Sequence, residues 1–365
     1  MEKRINELTK WMKQENVDFA FITSTANIFY LSKFYTTPHE RVAGVGVFQN
    51  DEPFMICPKM EMSSAKKAGW SFEIVGYDDT ENPWEFIQNA IQKRNIAVST
   101  LAIEKEHLSF ERGEKLQNIF PTAVFKAVEE KLNELRLIKD ETELSILREA
   151  AKLADFGVEV GVHAIKEGIS ELEIVAKIEY ELKKKGVREM SFSTMVLTGT
   201  KTAAPHGVPS LDKIQKGDLV LFDLGVILDG YCSDITRTVA YHSINDNQQE
   251  IYDTVLKGQL AAVETSKPGT EIGKIDKAAR DIIAAAGFGE YFTHRIGHGL
   301  GIDVHEFPSL NATNTNLLRT GMVYTIEPGI YVPEIGGVRI EDDIYITENG
   351  CEVLTKYPKE LQIIK

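Results

Sequence analysis

The sequence predicts an α+β fold in two parts: a small α/β domain, then a larger mixed domain with a largely antiparallel sheet. Three observations lead there. Over the first 120 residues, short apolar strand-like runs alternate with helical stretches. Pro121 then interrupts that pattern, and from about residue 125 the chain turns helical and charged. Beyond residue 140, helices are interleaved with paired strand-like runs that turn at Asp229–Gly230, Gly336–Gly337 and Asn349–Gly350.

In chain order, residues 2–16 carry helical periodicity and lead into the strand-like VDFAFITS of 17–24. GVGVFQNDEPFMIC (44–57) reads as a hairpin turning near Asn50–Pro53, followed by a short helix near 61–69. FEIVGY (72–77), a helix after Pro83, TLAIEK (100–105) and a helix near 109–118 complete the first domain, 1–125. The boundary is expected near 121–130, and the second domain spans 130–365. Asp140 and Glu143 have the spacing of a reciprocal helix cap, opening a helix through Ala164. Further helices are expected near 171–185, 247–265 and 272–286.

The 365 residues are 43% hydrophobic, enough for a large core, and the net charge is −14. An acidic chain without a long Lys/Arg cluster argues against nucleic acid or an anionic membrane as partner. The opening MEKRINELTKWMKQEN lacks the apolar run of a signal peptide, and no run of about 18 apolar residues follows. Cys57, Cys232 and Cys351 are an odd set without CxxC spacing. Free thiols in a reducing compartment fit that set better than a disulfide framework, so a cytoplasmic protein is expected.

DLVLFDLGVILDGYCSDITRTV (218–239) reads as an apolar strand pair around Asp229–Gly230. Counting back from that turn sets Leu228 opposite Tyr231 and position 223 opposite 236. Asp223 and Asp234 then become diagonal neighbours on one face. Asp229 is an ordinary turn residue. Two carboxylates on an apolar hairpin are costly, because burial and mutual repulsion both penalise the charged forms. A cation between them removes both penalties.

MVYTIEPGIYVP (322–333) and GGVRIEDDIYIT (336–347) look like two more strands around Gly336–Gly337. Each carries an acid among apolar residues, Glu327 and Glu341, and Arg339 shares a face with Glu341. That Glu–Arg pair alone reads equally as a structural ion pair. RIGHGLGIDVHEFP (295–308) adds His298 between Gly297 and Gly299, with His305 seven residues on. Glycines there are expected to let the backbone pass close to ions and substrate. Four carboxylates and one imidazole suit hard or borderline divalent metals such as Mn²⁺, Co²⁺, Fe²⁺ or Zn²⁺. The charge exceeds what one ion satisfies, which points to two metals about 3.5–4 Å apart with a bridging water made acidic enough to attack an amide.

Asp223 and Asp234 eleven apart, His298 in GHGLGIDVHE, Glu327 in EPGIY and Glu341 in VRIED together resemble the pita-bread metallopeptidases over residues 130–360. The family includes methionine aminopeptidase, aminopeptidase P, Xaa-Pro dipeptidase and creatinase. The resemblance implies a duplicated αββ catalytic domain preceded by an α/β domain of creatinase/prolidase N-terminal type. It implies that Asp223, Asp234, His298, Glu327 and Glu341 are the metal ligands. It further implies that His305 contacts substrate and supports the tetrahedral intermediate and that His206 lies at the mouth of the site. The mechanism expected from this set has Glu327 shuttle the proton, His206 and His305 stabilise the oxyanion and orient substrate, and Arg339 hold Glu341. Remaining histidines on loops, His107, His163, His242 and His294, are expected to be solvated. Cys232 shares strand parity with Asp234 and is expected to pack rather than to ligate.

Methionine aminopeptidases generally lack a large N-terminal domain, and the full ligand set argues against creatinase and against a non-catalytic peptide-binding module. That leaves Xaa-Pro dipeptidase and the alternative, an aminopeptidase P-like enzyme acting on longer Xaa-Pro peptides. Arg295 discriminates between them: in similar bacterial dipeptidases an arginine at that place meets the proline carboxylate, a charge that longer peptides lack. A solvated arginine at a strand edge is the competing expectation. TTPHERVAG (36–44) resembles the loop that reaches the neighbouring subunit's site in those enzymes, with His39 and Arg41 matching and Thr37 standing where an acid is often found. The expectation is a cytoplasmic, Mn²⁺-dependent homodimer that hydrolyses Xaa-Pro dipeptides through a metal-bridging hydroxide.

Overall fold

The computed structural model describes residues 1–365, and the chain separates into two compact units, Met1–Arg136 and Leu137–Lys365. No helix is long and apolar enough to cross a membrane.

The first unit is a six-stranded mixed sheet of β1 (Phe19–Ile22), β2 (Gly44–Phe48), β3 (Phe54–Pro58), β4 (Glu73–Tyr77), β5 (Thr100–Ile103) and β6 (Val124–Ala127), in the order β4-β3-β2-β1-β5-β6. Helices α1 (Glu2–Gln14), α2 (Thr25–Ser32), α3 (Met62–Lys67), α4 (Pro83–Gln92), α5 (Phe110–Ile119) and α6 (Glu129–Leu137) accompany it. Every residue of β1, β2 and β3 is buried, because helices cover the sheet and leave no polar alternation. Phe19, Phe48 and Phe54 fill the core. The short α2 carries no clear period in sequence. It is set instead by buried Glu104, which accepts hydrogen bonds from the Thr23 and Ser24 backbone N–H groups and from the Asn27 amide.

The expected boundary near 121–130 falls inside this unit. β6 extends the sheet in parallel to β5. Tyr30 then donates to the Leu135 carbonyl at 2.8 Å and Arg136 to the Asn27 side chain at 3.0 Å, tying α6 to α2. Pro121 marks a turn between α5 and β6 rather than a domain edge.

The second unit repeats one plan twice. The first half has helices α7 (Glu141–Ala164) and α8 (Glu171–Lys184), then β7 (Glu189–Met190), β8 (Met195–Thr198), β9 (Leu219–Leu224), β10 (Val226–Leu228), β11 (Tyr231–Cys232) and β12 (Ile235–Tyr241). The second half has α9 (Asp246–Thr265) and α10 (Ile272–Ala285), then β13 (Gly297–Gly299), β14 (Glu306–Leu310), β15 (Val323–Ile326), β16 (Gly329–Val332), β17 (Gly336–Arg339), β18 (Asp342–Ile346), β19 (Cys351–Val353) and a closing β20 (Ile363–Ile364). Side chains cap three of these helices reciprocally, at Asp140–Glu143, Ser170–Glu173 and Asn245–Gln248. Such caps each stabilise a helix by about 1 kcal/mol.

Each half contains one hairpin that breaks midway and joins two different sheets. β9 pairs with β12 while β10 pairs with β11; β15 pairs with β18 while β16 pairs with β17. The second hairpin turns at Pro333–Ile335, where Val332 pairs with Gly336, and not at Gly336–Gly337 as the sequence suggested. The proline and the tight approach of Gly337 to the Thr202 carbonyl, 2.3 Å from a would-be Cβ, place both glycines within β17. Pro328 similarly splits the long apolar run 322–333 into two strands, since it cannot donate to a ladder.

Candidate metal centre

The acids gather where the two hairpins break. Thr236 pairs with Asp223, as the turn at Asp229–Gly230 requires, and both turn residues have positive φ, 47° and 84°. Asp234 lies two positions before Thr236, at the break between β11 and β12. Glu327 follows β15, and Glu341 lies between β17 and β18. His298 is the middle residue of β13, and Gly299 pairs with Tyr324 of β15.

One carboxylate oxygen of Asp234, one of Glu341 and a ring nitrogen of His298 lie within 4.8 Å of one another, all three residues buried. His298 Nε2 is 3.4 Å from Glu327 Oε1 and 3.8 Å from Asp234 Oδ2. The other ring nitrogen, Nδ1, is 3.1 Å from the Gly299 carbonyl. A proton on Nδ1 that donates to that carbonyl leaves Nε2 as a lone pair aimed at the acids. Burial, followed by the neighbouring His305, pushes the His298 imidazole down to about 3, so it is neutral at physiological pH.

Thr236 donates to Glu341 Oε2 at 2.7 Å and accepts the Glu341 backbone N–H at 3.0 Å. The Asp234 N–H donates to Asp343 Oδ2 at 3.2 Å. Burial, then the facing carboxylates, hold Asp234 and Glu341 well above the usual range, and burial pushes Glu327 up to about 7. Asp223 Oδ1, Asp234 Oδ1 and Glu341 Oε1 are buried without a hydrogen-bond partner. Buried anionic oxygens left bare on three converging residues are the signature of a site built for cations. The donor set, oxygens plus one imidazole, fits divalent metal.

Residues 145–348 match the model of metallopeptidase family M24, and residues 4–138 match the creatinase/prolidase N-terminal domain. The chain belongs to metallopeptidase family M24. Similarity extends over its whole length. A relative from Bacillus subtilis (strain 168), named provisionally as a dipeptidase, is 58% identical over 361 residues, covering 99% of each chain. The prolidase from Pyrococcus horikoshii OT3 superposes with a TM-score of 0.92 at 37% identity, covering 99% of this chain and 100% of its own. The Xaa-Pro dipeptidase from Bacillus anthracis gives 0.92 at 35%, covering 99% of each. The pita-bread domain with a creatinase-type N-terminal domain is therefore the fold, and the protein is a prolidase-like metallopeptidase.

The other singled-out residues of this M24 chain fall as follows. The His305 ring centroid stands 4.0 Å from that of His298, and its side chain reaches solvent. Arg295 is half-buried and donates to Ser309 Oγ at 3.2 Å, rather than lying solvated at a strand edge. His206 is exposed on the segment after β8, close enough to His305 and His294 to help depress both imidazoles. His39 belongs to the first unit, exposed and with φ of 54°. Nearby Arg41 is clasped by both oxygens of Asp79 at 2.8 and 3.0 Å. Cys232 is buried, its thiol 3.3 Å from the Ile302 carbonyl and pushed up to about 12 by burial, which suits packing rather than ligation.

Three expectations are corrected. Arg339 does not bond Glu341; its guanidinium binds Asp223 Oδ2, with Nε on Thr236 Oγ1 at 3.1 Å. Arg339 is the last residue of β17, and from there its side chain meets β9 and β12. His294 is not solvated: Nδ1 lies 2.8 Å from the Arg295 carbonyl and Nε2 2.9 Å from the Tyr331 hydroxyl, with burial pushing it down to about 4. Tyr331 accepts from Arg339 Nη1 at 2.9 Å, so one chain of hydrogen bonds runs from His294 through Tyr331 and Arg339 to Asp223. Tyr331 stood inside the EPGIY motif without an assigned role, and the motif itself was the available signal.

The third correction concerns the glycines around His298. None of Gly297, Gly299 and Gly301 has positive φ. A Cβ on Gly297 would sit 1.9 Å from the Thr325 carbonyl oxygen, and one on Gly299 2.3 Å from that of Phe307. The glycines admit neighbouring strands rather than substrate, and so bring the His298 backbone to the sheet that carries Glu327.

Proposed function

We propose that this protein is a two-metal Xaa-Pro dipeptidase that releases proline from dipeptides. The observation that carries the reading is the cluster of Asp234, His298 and Glu341, joined by Glu327 and Asp223, with bare buried oxygens facing inward. The reading assigns all five residues as ligands of two divalent ions. Oxygen-rich ligation favours Mn²⁺, with Co²⁺, Zn²⁺ and Fe²⁺ as the competing ions. When bound, such a pair supplies an acidified bridging water as nucleophile and polarises the scissile carbonyl.

The chain's own residues do the rest. Glu327, whose Oε1 lies 3.4 Å from His298 Nε2 at the edge of the cluster, is assigned to take a proton from the attacking water and pass it to the departing proline nitrogen. His305 and His206 orient the substrate and donate to the oxygen that gains charge. The reading assigns Arg295 to the proline carboxylate, the charge that a dipeptide presents and a longer peptide lacks. Arg339, anchored by Tyr331 and Thr236, fixes the Asp223 carboxylate. The loop carrying His39 and Arg41 is assigned to the site of a partner subunit, in a homodimer. Three free cysteines support a reducing, cytoplasmic setting.

The test compares proline release from Met-Pro with cleavage of Met-Pro-Ala by enzyme loaded in turn with each of the four ions. Strong cleavage of the dipeptide and little of the tripeptide supports the proposal, and Arg295→Met then raises KM for Met-Pro. Preference for the tripeptide makes the protein an aminopeptidase of the P type and removes the carboxylate role from Arg295.

A further inference from the structure

We propose that Glu171 is a positioning residue for His206: one buried carboxylate clasps both ends of the segment that carries this histidine. The inference rests on the reading above, in which His206 orients substrate, and it names how that histidine is held.

The segment leaves β8 at Thr198 and returns at Ser210, with His206 between. Twelve residues, 199–210, therefore form an excursion whose tip is exposed. Glu171, the first residue of α8, is fully buried. Its Oε1 accepts the Thr198 backbone N–H at 2.9 Å, at the departing end. Its Oε2 accepts the Ser210 N–H at 2.7 Å and the Ser210 hydroxyl at 3.2 Å, at the returning end. Lys201 locks the clasp, donating to Glu171 Oε2 at 2.6 Å, Ser210 Oγ at 2.8 Å and Asp212 Oδ2 at 3.1 Å. Burial alone would lower the Lys201 ammonium, but hydrogen bonds to Glu171 and Asp212 outweigh it and hold the group above its ordinary value.

Two further contacts show that the excursion is built for a fixed shape. Thr202 donates to the Gly199 carbonyl at 2.6 Å and accepts the Gly337 N–H at 2.7 Å, seating the departing limb on β17, the strand of Arg339. Pro205 and Pro209 flank His206 and fix φ on either side. Joining the ends of a flexible segment removes the conformations in which its tip wanders. A histidine that stabilises charge must be held within a fraction of an ångström, and about 1 Å of misplacement costs on the order of 100-fold in rate. Glu171 touches neither the acids nor His298, and β8, whose last residue it holds, also pairs with the strand of Asp223, so unchanged Mn²⁺ affinity is the reading that separates the segment from the sheet.

The experiment uses the full Mn²⁺-loaded enzyme with Met-Pro, and compares the unaltered chain with Glu171→Gln, His206→Ala and the double variant. Hydrogen exchange over 199–213 and Mn²⁺ affinity are measured alongside. Glu171→Gln is expected to lower kcat/KM on the order of 10- to 100-fold. It should leave Mn²⁺ affinity unchanged and accelerate exchange over 199–213 without loosening α7. On the His206→Ala background the same substitution is expected to have no additional effect, because the residue it positions is already gone. Lys201→Met, at a half-exposed position, is expected to repeat the pattern in weaker form and guards against a folding defect. Multiplying penalties in the double variant, or unchanged exchange over 199–213, would overturn the inference. If the unaltered chain cleaves no Xaa-Pro peptide, the proposed reaction falls while the exchange measurement still decides the clasp.

Discussion

A methyl group on Gly297 would meet the Thr325 carbonyl oxygen at 1.9 Å, whereas one on Gly113, in α5, would meet nothing within 4 Å. Gly297→Ala is therefore expected to lower both Tm and Mn²⁺ affinity, because His298 must move with its backbone. Gly113→Ala should add roughly 0.5–1 kcal/mol of stability, by stiffening the unfolded chain in a helix interior. Protonation supplies a second test at this scale. Burial first, then the neighbouring carboxylates, raise Asp234 and Glu341; burial raises Glu327 from 4.5 to about 7. A carboxyl raised by folding contributes stability that is present below its unfolded value and lost as pH rises through the folded value. His298 works in the opposite sense, since its neutral form is favoured and stability is lost only as pH falls below 6.5. Of these four groups only the carboxyls titrate above 6.5. The metal-free protein should thus lose Tm between pH 6.5 and 8, and Mn²⁺ should bind more tightly and release protons across the same window, read by calorimetry in buffers of different ionisation enthalpy.

Between elements, the decisive contact outside the site is Arg237 of β12 with Asp342 of β18, both essentially without solvent exposure and 2.8 Å apart. Asp342 also accepts from Gln259, Thr355 and Lys359, and against the burial that would raise it the Arg237 and Lys359 cations hold its carboxyl below the ordinary value. Asp342→Ala leaves a buried guanidinium unpaired and is expected to cost about 3–5 kcal/mol in urea unfolding. Glu352→Ala, which breaks the partly exposed Arg148–Glu352 pair on β19, should cost less than about 1 kcal/mol. A ranking in the reverse order would show that the buried pair is not what joins the two hairpins. The same contrast explains what could be read in advance. The turn at Asp229–Gly230 fixes its own register, and the Asp140–Glu143 cap fixes its own helix start, so both were legible. The Pro333–Ile335 turn, the partner of Arg339 and the burial of His294 depend on residues brought together from distant elements. Local pattern carries no record of those meetings. The five candidate ligands were legible because acids on apolar strands break a rule, whereas Glu171 at the start of a helix breaks none.

At the scale of the whole molecule, each unit has its own sheets and core, and every candidate ligand lies in the second. Saturating Mn²⁺ at 100 times its Kd is expected to stabilise that unit by about 2.7 kcal/mol for each ion bound and leave the first unmoved, seen in scanning calorimetry as a shift of one component only. The broken hairpins carry a last consequence. Asp223 and Asp234 come from one half of the second unit, and His298, Glu327 and Glu341 from the other. Neither half owns a complete coordination sphere. A chain severed between the exposed residues His242 and Ser243 yields two fragments, each with an incomplete claim on the ions. Their reassembly becomes an equilibrium that metal concentration drives, and the protein becomes a split reporter whose signal is divalent cation.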